Sequence, residues 1–306
     1  MGLRLNGGLL EQLMSSSSPL IHRFQAMTVV CEVQLFGTEQ AKEIVTTIES
    51  NTLRLEEKYN FYAPTSWLNK AVNNRKAATV MLDEESYTVF EVVKRLVDGT
   101  QGTFDPAIGS VKSLMKQNPS MGRDAAYGYA KNFMGIKAWH LSEQTLVIHN
   151  AETQFDLGGV IKEFAVDQAV NIAQSLGASA ALVNFGGDIR SFGVKPDGSA
   201  FNVAVKNPKN KSEPWFSLPL VNAALTTSAH YERSFKFGDQ QSSHILSQCG
   251  THPQVLSVSV LAPTALEAGA LSTALTIDPT LVLPNEVGVV FIDDQLFIHQ
   301  DTEFIA

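Results

Sequence analysis

Two glycine-pair turns constrain this chain more than any other feature. The first is Phe155-Asp156-Leu157-Gly158-Gly159-Val160-Ile161-Lys162, which runs straight into a helical pattern; the second is Asn184-Phe185-Gly186-Gly187-Asp188-Ile189. In the first, an acidic residue, two glycines and a lysine sit where a strand ends and a helix begins. Glycine lets backbone approach a ligand closely, and a helix start offers unpaired N–H groups to an anion. Two such turns, a helix and a strand apart, point to a phosphate-bearing ligand held by backbone. Neither is a dinucleotide fingerprint, because no G-x-G-x-x-G precedes either helix.

Hydrophobic periodicity sets these turns in a larger frame. Met27–Phe36 is a β-rich run ended by Gly37, and Thr38 stands where it would cap a helix with Ala41, Ile44, Val45 and Ile48 on one face. Tyr59–Asn73 is turn-rich and aromatic, and a second helix is expected over residues 85–97. In Gly102–Gly109 (GTFDPAIG), Pro106 stops a helix from continuing backwards. A strand at 145–149 leads to Asp156, and Ile161, Phe164, Ala165, Ala169, Ile172, Ala173 and Leu176 mark a helix that Gly177 ends. Strands then dominate, at 180–185, 201–206, 223–227 and 255–261, before a helix at 265–277 and a hairpin of 287–292 with 296–300. Strands adjoin strands, and the helices are few and long. That pattern predicts an α+β fold of largely antiparallel sheets. Residues 1–25, with the Ser15–Ser18 run, read as a flexible leader, and 26–306 as one domain without internal repeats.

Composition narrows the function. With 306 residues, 44% hydrophobic and 18% charged, the chain is an ordinary globular protein with ample material for a core. A net charge of -8 and no basic stripe argue against nucleic-acid binding. Two cysteines, Cys31 and Cys249, supply neither a disulfide framework nor a zinc-ligand spacing. Apolar runs are strand-length, so no transmembrane helix is expected. The first residues lack the apolar core, about 7–15 residues long, of a secretory signal. As written, the chain reads as cytoplasmic, or as periplasmic if an export signal has been removed.

Five motifs together resemble one family, the flavin transferases called ApbE: GTFDPAIG at 102–109, DLGGVIK at 156–162, NFGGDI at 184–189, TSAHYER at 227–233 and AGALSTAL at 268–275. They follow the family's order and span roughly residues 27–300. The resemblance implies that the chain binds FAD, uses magnesium, and transfers FMN to a threonine or serine of an acceptor protein with release of AMP. It also implies a site. FAD contacts fall on Met27, Tyr62, Thr103, Phe104, Asp105, Asp156, Lys162 and Ile245, with Tyr62 against the flavin ring and Lys162 near the phosphates. The metal falls to the backbone carbonyl of Gly159 and to side chains of the late helix, including Thr273. His244 matches the histidine of the family's His-Ile-x-Asp-Pro run, as an acid/base or an acceptor-orienting group. The residue types suit the chemistry: breaking a pyrophosphate needs its growing charge neutralised, an oriented hydroxyl and a destination for the proton.

Two departures stand out. The family's late helix reads Ala-Asp-Ala-x-x-Thr, whereas this chain has Ala268-Gly269-Ala270-Leu271-Ser272-Thr273, without the carboxylate. The run after His244 also lacks the family's Asp and Pro. Two other functions therefore compete: an FAD-binding protein that does not transfer, or a slow FAD pyrophosphatase. Plainer roles compete at single residues too. Asp105 fits an Asp-Pro turn, Tyr62 a packed surface tyrosine, Lys162 a solvated helix start, and Thr273 a helix residue bonded to its own backbone. On this reading Gly269→Asp restores metal binding, since a helix interior tolerates Asp as well as Gly.

Overall fold

The structure is a computed structural model and describes residues 18–207, 214–229, 255–293 and 295–300, with backbone alone at 234–237 and 240–243. The chain opens with an antiparallel hairpin of β1 (Leu20–Ala26) and β2 (Val29–Phe36). In β1, Leu20, His22, Phe24 and Ala26 alternate toward the interior while Ile21, Arg23 and Gln25 are exposed. The leader boundary at residue 25 is thus too late, because residues 20–25 already belong to the sheet. Next, α1 (Ala41–Tyr59) buries Ile44, Val45, Ile48, Thr52, Leu55 and Tyr59. Thr38 does not cap it; its hydroxyl accepts from the Gln40 N–H at 3.1 Å, closing a tight turn just before the helix.

The aromatic segment holds a π-helical turn, Leu68–Asn73. After it come β3 (Thr79–Met81), α2 (Glu84–Gly99), α3 (Gly109–Gln117), α4 (Arg123–Ala130), β4 (Trp139–Ser142) and β5 (Thr145–Ile148). These strands make a small antiparallel sheet in the order β3-β5-β4. Helices α3 and α4 are not evident in the sequence pattern; their Val111, Met115, Ala126 and Ala130 pack in one buried cluster with the flanking Ala107 and Phe133.

The second half runs α5 (Ile161–Ser175), β6 (Ala180–Phe185), β7 (Asp188–Phe192), β8 (Phe201–Lys206), β9 (Pro214–Leu220), β10 (Ala224–Ala229), β11 (Ser234–Phe237) and β12 (Gln240–Ser243). It ends with β13 (Val255–Ala262), α6 (Ala265–Ile277), β14 (Gly288–Asp293) and β15 (Ile298–Gln300). An eight-stranded sheet, β1-β2-β6-β7-β10-β13-β14-β15, forms the centre. The pairings between its described strands are antiparallel. The fold is α+β, as the alternation of elements predicts.

Helix α5 packs on β6 and β7 of this sheet and meets α1 and α6. Neighbours on several sides explain why it buries Ile161, Phe164, Val166 and Val170, and also two acids, Glu163 and Asp167. A carboxylate in such a place needs partners. Asp167 has them: it accepts from the N–H groups of Ala265 at 2.9 Å and Leu266 at 3.0 Å, and pairs with Arg190 at 3.0 Å. Burial pushes the Asp167 carboxyl up, and Arg190 and the two N–H groups work against that rise. Asp167 thus satisfies donors at the start of α6, while Thr264 accepts from the Glu267 N–H at 3.2 Å. Replacing Asp167 with Ala should cost about 2–4 kcal/mol in urea unfolding, through the lost cap and the abandoned arginine. A loss under about 0.5 kcal/mol would show that α6 holds itself without this tie.

Candidate active site

The GTFDPAIG segment folds into a turn locked onto the strand-like segment before Gly158. Asp105 sets its shape. One carboxylate oxygen accepts from the Ala107 N–H at 2.9 Å, the other from the Gly135 N–H at 2.7 Å. Burial raises the Asp105 carboxyl, with both N–H groups opposing. Behind it, the Pro106 carbonyl accepts from the Asp156 N–H at 2.8 Å, and Ile108 bridges to Gln154. Such an approach leaves no room for a side chain at Gly109, whose Cβ would lie 2.7 Å from the Gln154 carbonyl oxygen and 2.8 Å from the Asp156 nitrogen. From the other side Asn73 clamps Phe155 through both backbone groups, accepting from its N–H at 2.7 Å and donating to its carbonyl at 2.9 Å. The Phe155 ring meets Phe90 and Trp139 edge-on in the core. Thr103 is half-buried and Phe104 buried in this turn.

Asp156, held by that backbone, is only 8% exposed. One oxygen accepts from the Gly158 N–H at 2.8 Å, and the other pairs with Lys112 at 2.5 Å. Lys112 is a site residue that sequence reasoning missed. It lies on α3, 44 residues from its partner, and no motif includes it. Burial disfavours the Lys112 charge, but Asp156 and the Tyr62 phenol outweigh that and hold the ammonium above its ordinary value. Tyr62 joins the group from the aromatic segment, with 58% of its surface exposed and its ring edge-on to Phe61 at 5.3 Å. Its phenol is raised by burial, Lys112 opposing and Asp156 adding.

Gly158 and Gly159 are exposed above this buried pair. Helix α5 begins at Ile161, and among the described residues no backbone acceptor meets the N–H groups of Gly159, Lys162 or Glu163. Nor does a described donor reach the Gly159 carbonyl. Free donors at a helix start are suited to anionic oxygens. Lys162 turns its ammonium to Asp188, with which it forms an ion pair, and to Glu163 at 3.2 Å. The pair with Asp188 joins the two glycine turns, because Asp188 follows Gly186-Gly187 directly. That second turn is shaped by Asn184, which accepts from the Gly187 N–H at 2.9 Å. The Gly186 N–H donates to the Val30 carbonyl at 3.1 Å, which brings the β1–β2 turn and Met27 to the same place.

Helix α6 supplies the remaining face. Thr273 is half-buried, and its hydroxyl lies 3.3 Å from that of Ser228 on β10, which also meets Ser272 at 2.8 Å. Gly269 lies one helical turn before Thr273, where a Cβ would fall 2.5 Å from Cγ of Glu163. Gly269→Asp is therefore not the simple restoration the sequence suggests: the space is taken by a side chain from α5. His244 and Ile245 lie outside the described residues, as do residues 230–233 of the fourth motif.

The described residues thus gather an acid–lysine pair, an open helix start and two hydroxyl-bearing elements around paired glycine turns, on an α+β scaffold. The chain belongs to the ApbE family, whose model matches residues 27–285. It is similar to the FAD:protein FMN transferase of Treponema pallidum, with 26% identity over 80% of this chain and 75% of that one. Its similarity to the Chlamydia muridarum FAD:protein FMN transferase is also 26%, over 87% of each chain. Among solved structures it superposes on the ApbE protein of Thermotoga maritima with a TM-score of 0.81 and 25% identity, covering 94% of this chain and 98% of that one. The Vibrio cholerae flavin transferase ApbE shares the fold at a TM-score of 0.79 and 20% identity, with coverage of 94% and 98%.

Removing one member of the Lys112–Asp156 pair should be costly because the other stays buried. Lys112→Met is expected to lower stability by about 3–5 kcal/mol in urea unfolding. Adding Asp156→Asn should recover most of that loss. No recovery in the double variant would mean that Lys112 matters for packing and not for charge.

Proposed function

We propose that this chain is an FAD:protein FMN transferase. It binds FAD, joins the FMN phosphate to the hydroxyl of a threonine or serine in an acceptor protein, and releases AMP. The observation that carries this reading is the Lys162–Asp188 ion pair, which ties two glycine turns around one helix start with free N–H donors. It is supported by similarity to FAD:protein FMN transferases over most of the chain.

The chemistry follows from the groups present. The N–H groups of Gly159, Lys162 and Glu163 receive pyrophosphate oxygens, and the helix start favours their negative charge. Tyr62, exposed at the rim, offers its ring to the flavin. Met27 and the Thr103–Phe104 turn complete the flavin contacts. Asp105, with both oxygens on backbone N–H groups, shapes that turn. Asp156 and Lys112 form a buried charged floor beneath the glycines. In the reaction the acceptor oxygen bonds to the FMN phosphorus, the bond from that phosphorus to the AMP oxygen breaks, and the hydroxyl proton leaves for a base. His244 is the residue we assign to take that proton.

A divalent cation, magnesium, fits the oxygen chemistry here. The Gly159 carbonyl and the Thr273 hydroxyl are hard oxygen donors. On α5, four residues after Gly159, a carboxylate oxygen, Oε2 of Glu163, is buried without a hydrogen-bond partner. When bound, the cation would neutralise charge that grows on the pyrophosphate as the bond breaks.

Incubation with FAD, magnesium and a candidate acceptor protein should release AMP and raise the acceptor's mass by one FMN less one water. AMP without that mass gain would mean hydrolysis, and neither product would refute transfer. FAD should bind more tightly than FMN, and equal affinities in a titration would remove the case for a pocket reaching past the FMN phosphate. Tyr62→Ala should weaken flavin binding by about 0.5–1.5 kcal/mol. An unchanged affinity would return Tyr62 to a packing role.

A further inference from the structure

Glu163 is a buried acid among the described residues whose partners do not account for its charge. It is 6% exposed in a helix packed on several sides, and carboxylates are rarely so buried unless paired. Its pairing is incomplete. Oε1 is 3.2 Å from the Lys162 ammonium, but Oε2 is buried with no hydrogen-bond partner. Lys162 is already shared, since it also pairs with Asp188, so two buried carboxylates face one ammonium. With both acids ionised the three groups carry one negative charge in excess, which a desolvated site relieves by taking up a proton or a further cation.

The location of Glu163 is as telling as its charge. A Cβ on Gly269 would sit 2.5 Å from Glu163 Cγ, 3.2 Å from its Cδ and 3.4 Å from its Oε1. Any larger residue at 269 would displace Glu163. The glycine therefore admits the carboxylate of α5 onto the face of α6, about 5–6 Å along that helix from Thr273. Glu163 also lies four residues beyond Gly159, whose carbonyl meets no described donor. The start of α5 thus carries an open carbonyl and an unpartnered carboxylate oxygen, and the facing side of α6 carries the Thr273 hydroxyl one turn from Gly269. Magnesium ordinarily takes one or two carboxylates and completes its shell with water and substrate phosphate.

We infer that Glu163 supplies the metal-binding carboxylate in this chain, reaching across from α5 through the space that Gly269 leaves on α6. The loss of an acid from α6 is then a relocation of the ligand, not a loss of the site. This inference rests on the metal-dependent transferase reading, and its test separates the two. Mg²⁺ binding to the FAD-loaded full chain is measured by calorimetry, and Mn²⁺ binding by electron paramagnetic resonance. Glu163→Gln keeps size and shape but removes the charge, and should weaken both ions at least tenfold with an unaltered melting temperature. Gly269→Asp alone should also weaken them, because the new Cβ collides with Glu163. The double variant Glu163→Ala with Gly269→Asp moves the acid onto α6 and should return affinity to within about threefold of the unaltered chain. Should Glu163→Gln destabilise the fold, the double variant decides alone: restored binding supports the relocation, and absent binding overturns it. Unchanged binding in Glu163→Gln overturns the inference and leaves the transferase reading intact. No metal binding to the unaltered FAD-loaded chain would overturn both.

Discussion

The ion pair between Lys162 and Asp188 is the contact on which the candidate site depends. Lys162 belongs to the first turn of α5 and Asp188 to the first residue of β7, so their charges fasten two glycine turns that are distant in sequence. Without that tie each turn is only a tight connection at a strand end. With it, the open N–H groups of α5, the exposed Gly158-Gly159 backbone and the β1–β2 hairpin share one location. A buried ion pair is weak evidence for stability, since desolvation offsets much of its attraction. Its value here is positional: it specifies how a helix start meets a sheet.

A second layer of constraints holds that arrangement from behind. Asn73 grips both backbone groups of Phe155, Pro106 accepts from Asp156, and Gly109 permits the contact that brings them together. Asp167 ties α5 to the start of α6 in the same manner. Buried polar groups in this protein mostly meet backbone donors and acceptors, which fixes segments and leaves little rotational freedom. Glu163 departs from this, with one oxygen unmatched beside a glycine that makes room for it, and Asp188 (at Oδ2), Trp139, Ser191 and Thr226 also keep a buried polar atom without a hydrogen bond. The proposed cation would lie between this unmatched acid and the open N–H groups at the start of α5.

Much of this was legible in the sequence where one local signal dominated. The α6 span 265–277 agrees with its apolar pattern residue for residue, and β6 follows its β-branched and apolar run. Strand β1 was hidden because His22, Arg23 and Gln25 interrupt its apolar residues and a serine run precedes it. Helices α3 and α4 are short, start without side-chain caps, and gain order by burying residues against each other. The glycine turns, Asp156 and Lys162 were legible as a motif, but their partners were not. Lys112 acts across 44 residues and Glu163 across the α5–α6 junction, and neither distance is written in local pattern. Gly269 carried the sharpest lesson. Read along its own helix it is a missing ligand; read with its neighbour it is the space another ligand needs.

On the proposed function, one site between the start of α5 and the face of α6 holds the pyrophosphate of FAD and its cation. A crystal structure of the full chain with FAD and Mn²⁺, with the manganese located by anomalous scattering, tests it most directly. One strong peak is expected in contact with the Gly159 carbonyl, Thr273 and the FAD pyrophosphate, with phosphate oxygens on the N–H groups that open α5. A pyrophosphate bound away from Gly158-Gly159, or a manganese ion remote from both helices, would contradict it.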